Sequence, residues 1–221
     1  MRYVIGDIHG CNKTLQKLLL RLKLTKEDKV IFVGDYIDRG PDSSGVLKTV
    51  TNCPCETVLL KGNHEEIALE YFNHKGTDDY KYWLACGGDR TLHSVPQEDW
   101  EKWIKWMRDD LIIYHEEPDY FIVHAGFNWM GGDKVFKDYD SMLWSRDPSP
   151  DMGKPVICGH TPVSLSQIKD LVDSHSRNIY IDGGCVFTDF SDLGNLVAYN
   201  LDTKEIISQK NIDTKKEKYN E

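Results

Sequence analysis

Lys29 to Asp42 reads KVIFVGDYIDRGPD. Four apolar residues, Val30 to Val33, run directly into a turn holding Asp35, Asp38 and Asp42 around Arg39, with Gly34 and Gly40 on either side. A short, β-branched apolar run closed by glycine and acid reads as a buried strand entering a polar loop. Three acids and an arginine in one turn could serve solvation alone. The reading therefore depends on whether the chain repeats the pattern.

It does. Tyr3-Val4-Ile5 leads into GDIHG, Thr57-Val58-Leu59-Leu60 into KGNHEE, and Tyr120-Phe121-Ile122-Val123 into HAG. Val156-Ile157-Cys158 leads into GHTP, and Asn178-Ile179-Tyr180-Ile181 into DGG. Helical spacing follows the first three turns: Leu15, Leu18, Leu19 and Leu22, then Val46, Leu47 and Val50, then Ile67, Ala68, Tyr71 and Phe72. Asn12 is expected to cap the first of these helices, and Asp42, after Pro41, the second. Strand, polar turn, helix, strand predicts an α/β fold with a largely parallel first half, whose ligand crevice lies beyond the carboxyl ends of the strands. Near the end, LVAYNLDTKEIISQ reads as a hairpin turning at Leu201-Asp202-Thr203-Lys204, so a mixed sheet or two packed sheets are expected.

Residues 76–111 read differently, as a small helical insertion. EDWEKWIKWMRDDL places Trp100, Trp103, Ile104, Met107 and Leu111 on one helical face, which predicts core packing, and leaves Trp106 off the stripe and partly exposed. The chain is read as one domain over 1–221, with a charged tail at 211–221. Its 221 residues carry 40% hydrophobic and 29% charged side chains, as in soluble globular proteins. A formal net charge of −9 argues against nucleic-acid binding, which needs a basic surface. The apolar runs are too short to cross a bilayer, and MRYVIGDIHG offers no secretory h-region, so a cytoplasmic protein without a membrane partner is expected. The six cysteines lack zinc-finger spacing and read as free thiols of a reducing compartment.

The strand ends supply Asp7, His9, Asp35, Asn63, His64, His124 and His160. Carboxylate, imidazole and amide donors without thiolate suit first-row divalent or trivalent metals. They are too many for one ion and about enough for two, the usual apparatus for displacement at phosphorus, with Asp35 as the natural shared carboxylate. His74, His93, His115 and His175 lie outside any motif and read as ordinary histidines.

GDIHG, GDYIDRG and GNHE resemble the three ordered signatures of the metallophosphoesterase superfamily, and DRG, the His-Glu of GNHE, VHAG and CGHTP resemble its phosphoprotein phosphatase branch. The resemblance implies a metallophosphoesterase fold, a central β-sandwich of mixed sheets flanked by helices, in the compact bacterial or phage form. It implies that Asp7, His9 and Asp35 hold one ion and that Asp35, Asn63, His124 and His160 hold the other. Manganese is the first choice, with iron, zinc or magnesium as alternatives. His64, paired with Asp38, would protonate the leaving group of a phosphomonoester attacked by a metal-activated hydroxide. Arg39 would clamp the phosphate, and Arg146, in LWSRD, would be a second clamp. The expected activity is protein serine/threonine phosphatase, with phosphotyrosine or small phosphate esters as further substrates and a monomer as the working form. The alternatives are a dinucleoside polyphosphate hydrolase, whose members typically carry Gln where this chain has His9, and a non-catalytic metal-binding scaffold, whose members lose ligands that are complete here.

Overall fold

The computed structural model describes residues 1–73, 78–132 and 134–214. His74, the first two residues of the expected 76–111 insertion and residues 215–221 of the expected tail lie outside the described residues. The chain runs β1 (Arg2–Ile5), α1 (Asn12–Leu22), β2 (Lys29–Phe32), α2 (Ser43–Thr51), β3 (Glu56–Leu59) and α3 (Asn63–Asn73). Next come α4 (Asp78–Trp83), a π-helical turn at Leu84–Gly88, α5 (Asp89–Ser94) and α6 (Trp100–Asp109). The second half supplies β4 (Tyr114–Glu116), β5 (Phe121–Val123), α7 (Tyr139–Trp144), β6 (Val156–Cys158), α8 (Leu165–Asp173), β7 (Asn178–Tyr180), β8 (Asn195–Asn200) and β9 (Ile206–Lys210).

Two mixed sheets result. One has the order β3-β2-β1-β8-β9, with β1, β2 and β3 parallel and β8 and β9 antiparallel; the other has the order β4-β5-β6-β7, with β5, β6 and β7 parallel. Side chains alternate across each strand and sort into layers. Val4, Ile31 and Val197 meet Ile122, Ile157 and Ile179 between the sheets. Tyr3, Ile5, Val30 and Phe32 face the other way, onto Leu15 and Leu18 of α1, Val46 and Val50 of α2, and Trp103 of α6. Phe121, Val123 and Val156 cover the outer face of the second sheet with Met142 of α7. Because both faces of the parallel strands are buried, they read in sequence as unbroken apolar runs. This is the sandwich flanked by helices that the sequence leads one to expect.

Two local expectations are corrected. Trp106 is only 8% exposed, because it packs edge-on against Tyr36 and Trp103, so α6 buries more than one stripe. Asn12 is the first residue of α1 and caps nothing; its side chain donates to Asp42 Oδ2 and accepts from Thr49 Oγ1. The free N–H groups of Lys13 and Thr14 instead donate to the Asp213 carboxylate, 2.8 Å each. Asp42 caps α2, accepting from Gly45 N at 2.8 Å. Among the described residues no helix is long and apolar enough to cross a membrane.

The inter-sheet layer carries a direct consequence. Ile31 is fully buried on the interior strand β2, so Ile31→Ala should lower the unfolding free energy by about 2–5 kcal/mol with an unchanged denaturant slope. A urea titration showing a loss below about 1 kcal/mol would contradict this packing.

Candidate active site

The parallel strands of both sheets end on the same edge of the sandwich, and the polar loops meet there. Asp7 and His9 follow β1, Asp35, Asp38 and Arg39 follow β2, and Asn63 and His64 open α3 after β3. From the second sheet His124 follows β5 and His160 follows β6. All of these except Arg39 are buried, His160 the least at 9% exposed. Hydrogen bonds tie the two sheets here, among them the His160 N–H, which donates to Asp7 Oδ2 at 2.9 Å.

The loops are bent sharply to bring these groups inward. Asp35, Asp38 and Arg39 adopt left-handed φ of 53°, 71° and 65°, and His9 and His160 do the same at 46° and 62°. Each such non-glycine residue costs on the order of 1–2 kcal/mol and needs compensation. For the Asp35 loop the compensation is Glu65, a residue within GNHE to which the sequence reading gave no role. Glu65 is fully buried; Oε2 accepts from the N–H of Asp35 (2.9 Å) and Gly62 (3.0 Å), and Oε1 from Tyr36 (2.8 Å) and Ile37 (3.3 Å). Burial and the neighbouring Asp35 push its pKa up to about 8, while its N–H donors favour the carboxylate, the form that can accept all of them. Close approach also requires Gly62, where a Cβ would fall 2.1 Å from Asp35 Oδ1.

Hydrogen bonding fixes which ring nitrogens are available. His9 Nδ1 lies 3.0 Å from Ile37 O and His124 Nδ1 lies 3.0 Å from Val33 O, so each ring donates from Nδ1 and presents a bare Nε2 to the centre. His124 Nε2 then sits 2.9 Å from Asn63 Oδ1, and His160 Nδ1 is 3.1 Å from the same oxygen. Asp35 Oδ2 lies 3.4 Å from His9 Nε2, and Asp35 Oδ1 lies 3.5 Å from His124 Nε2. Ligand atoms of Asp7, Asp35 and His124 lie within 4.8 Å of one another, as do those of His9, Asp35 and His64. Asp35 is common to both groups. Asp7 Oδ1 is buried and lacks a hydrogen-bond partner among the described residues. Convergent lone pairs, an orphaned carboxylate oxygen and a shared aspartate are the chemistry of a site for two hard-to-borderline cations, and the residues present fit that group.

The electrostatics separate the four histidines. Burial, aided by nearby cations, holds His9 and His124 below the ordinary imidazole range and His160 down to about 3, which keeps these rings neutral. Burial also opposes the charge on His64, but Asp35 and the hydrogen bond to Asp38 outweigh it and raise its pKa. His64 Nδ1 lies 2.7 Å from Asp38 Oδ2. Burial opposes the charge on Asp35, yet the charged His64 ring and the His64 N–H, 3.1 Å from Oδ1, hold its pKa below the usual carboxylate range. Asp7 is pushed well above that range by burial and by Asp182 and Asp35.

Arg39 donates from Nη1 to His9 Nε2 at 2.6 Å, with its guanidinium carbon 5.4 Å from the Phe187 ring centre. Arg146 stands exposed at the rim just after α7, where its charge helps to lower the pKa of His160; the Trp144 ring lies 6.4 Å from the same histidine. Beyond Glu65, sequence reasoning also passed over Asp182 in DGG. That carboxyl is 3% exposed, accepts from Gly184 N at 2.8 Å, and is raised to about 7, mainly by burial. Its strand-end position was the available signal.

Comparison with known proteins places this geometry. The family model for calcineurin-like phosphoesterases matches residues 2–197. The serine/threonine-protein phosphatase 2 of Salmonella typhimurium is 32% identical over 197 residues, covering 82% of this chain and 86% of that protein. The asymmetrical bis(5'-nucleosyl)-tetraphosphatase PrpE of Oceanobacillus iheyensis is 29% identical over 240 residues, covering 93% of this chain and 90% of the relative. A solved protein serine/threonine phosphatase from Saccharomyces cerevisiae superposes with a TM-score of 0.66 at 16% identity, over 97% of this chain and 81% of that one, which shows the shared fold.

Glu65 can be tested alone. Glu65→Gln keeps the shape but turns an NH2 toward two backbone donors, so stability should fall by about 3 kcal/mol or more, and any divalent metal loaded onto the protein should be lost on gel filtration. A variant that keeps its metal and lies within about 0.5 kcal/mol of the parent would contradict the role given to this carboxylate.

Proposed function

The chain belongs to the calcineurin-like phosphoesterase family, and from that premise we propose that it is a phosphomonoesterase acting on serine/threonine phosphoproteins. The observation that carries this reading is the His64–Asp38 pair, joined at 2.7 Å beside the Asp35 cluster. A serine or threonine alkoxide is a poor leaving group and needs a proton as the P–O bond breaks. His64 bonds Asp38 through Nδ1, which leaves Nε2 to donate that proton, and Asp35 and Asp38 shift its pKa upward, toward the charged form. Asp38 sets the ring orientation and stabilises the imidazolium.

Asp7, His9, Asp35, Asn63, His124 and His160 would hold two ions, with Asp35 contributing to both. Bound there, the ions would lower the pKa of water and draw charge from the phosphoryl oxygens. Asp35 suits a shared position because its environment keeps it ionised. His9, His124 and His160 suit ligation because theirs keeps them neutral. Arg39, and Arg146 on the His160 side, would hold the phosphate oxygens through their planar forks, a geometry that lysine lacks.

Manganese is the metal we assign first, on the mixed oxygen and imidazole donors. A reducing, cytoplasmic setting fits six free cysteines, with Cys53 and Cys55 sulfurs 3.6 Å apart as thiols. A monomer acting without nucleic acid or membrane completes the proposal. A second reading, dinucleoside tetraphosphate hydrolysis, is favoured by the similarity to the Oceanobacillus iheyensis protein.

A manganese-reconstituted panel separates the two. The phosphatase reading expects phosphoserine and phosphothreonine peptides to be turned over faster than diadenosine tetraphosphate; the reverse order would overturn it. Within the phosphatase reading, His64→Asn should cut turnover of a phosphoserine peptide by roughly 100-fold or more and that of an aryl phosphate far less. Equal losses on the two would remove His64 from the acid role.

A further inference from the structure

Asp38 orients His64, and what holds Asp38 comes largely from the helical segment between α3 and β4. The Trp83 indole N–H, at the end of α4, points between the two carboxylate oxygens, 3.1 Å from Oδ1 and 3.0 Å from Oδ2. Thr91, on α5, donates its hydroxyl proton to Oδ1 at 2.7 Å. That hydroxyl has a single proton, so its lone pairs receive the Asp38 N–H at 2.8 Å and the Ser43 hydroxyl at 3.0 Å. Asp38, Ser43, Trp83 and Thr91 are each 0% exposed. Bulk solvent does not reach these donors.

The same segment secures the next residue. The Arg39 N–H donates to Gly87 O at 3.1 Å, so two successive left-handed residues have their amides held by the insertion. Gly87 itself has φ of +100°, and a Cβ there would come within 2.9 Å of Arg39 N and Cγ. Only glycine permits this approach. With His64 on Oδ2 and Trp83 and Thr91 fixing the rest, the Asp38 carboxylate has one rotational position, and through it the imidazole has one.

We propose that Trp83 and Thr91 are positioning residues for proton donation: they lock the Asp38 carboxylate so that His64 bonds it through Nδ1 and keeps Nε2 turned to the leaving group. The segment Trp83 to Thr91 is then a working part of the site rather than a flanking insertion. This inference rests on the reading of His64 as the acid.

The test uses full-length, manganese-reconstituted protein and two substrates, a phosphoserine peptide and an aryl phosphate whose leaving group needs little protonation. Thr91→Val, nearly isosteric, removes the hydroxyl, and Trp83→Phe removes the indole N–H along with some volume. Each should lower kcat on the phosphopeptide by about 10- to 100-fold and on the aryl phosphate by less than about threefold, with KM held within about twofold. Thr91→Ser should restore most of the loss. Equal losses on both substrates, or no loss on either, would overturn the inference while a selective loss in His64→Asn left the acid reading standing. Without selectivity in His64→Asn, acid reading and inference fall together. A second measurement needs neither variant nor turnover. In metal-free parent protein the Trp83 indole proton should exchange slowly and shift in Asp38→Asn; exchange as fast as that of the exposed Trp129 would also overturn the proposal.

Discussion

A single buried carboxylate, Glu65, gathers the backbone N–H groups of Asp35, Tyr36, Ile37 and Gly62. Without those bonds the loop after β2 would carry unsatisfied amides in a dry interior and a left-handed aspartate with nothing to offset its strain. With them, Asp35 stands where ligand atoms from both sheets reach it. The loop is therefore built from the inside, by an acid that never faces the ligand. The polar groups gathered in front of it, Asp35 at their centre, depend on that support.

The sandwich adds the second constraint. Parallel strands in both sheets end on one edge, so five loops deliver polar groups to one place. The site is also a seam between the sheets: His160 N–H reaches Asp7 Oδ2, and the His124 ring reaches Val33 O. The His124–Val33 bond also sets which nitrogen that ring offers. Packing and ligand geometry are thus one problem here, and the histidines diverge in protonation because burial lowers three of them while Asp35 and Asp38 outweigh it at His64.

Much of this was legible in the sequence, for a physical reason. Strands buried on both faces are short unbroken apolar runs, and a loop at the carboxyl end of each must begin with polar or glycine residues, so strand and site mark one another. Asp7, His9, Asp35, Asn63, His124 and His160 were found that way. What stayed hidden acts through tertiary contact. Glu65 was in plain view, but its partners are defined only once the Asp35 loop folds back on it. Trp83 and Thr91 lie 45 and 53 residues from Asp38, and Trp83 is a core residue whose indole N–H has a second use that periodicity cannot register. The capping of α1 by Asp213 spans 199 residues to Thr14, so local rules chose Asn12 instead. Strand β4 escaped because Tyr114–Glu116 is three residues long and polar.

The central claim is that one aspartate serves two ions. Elemental analysis of manganese-reconstituted, desalted protein tests it most directly. The parent should retain two ions per chain and Asp35→Asn fewer than one, with phosphatase activity lost in step. An Asp35→Asn protein that keeps both ions and its activity would contradict the account.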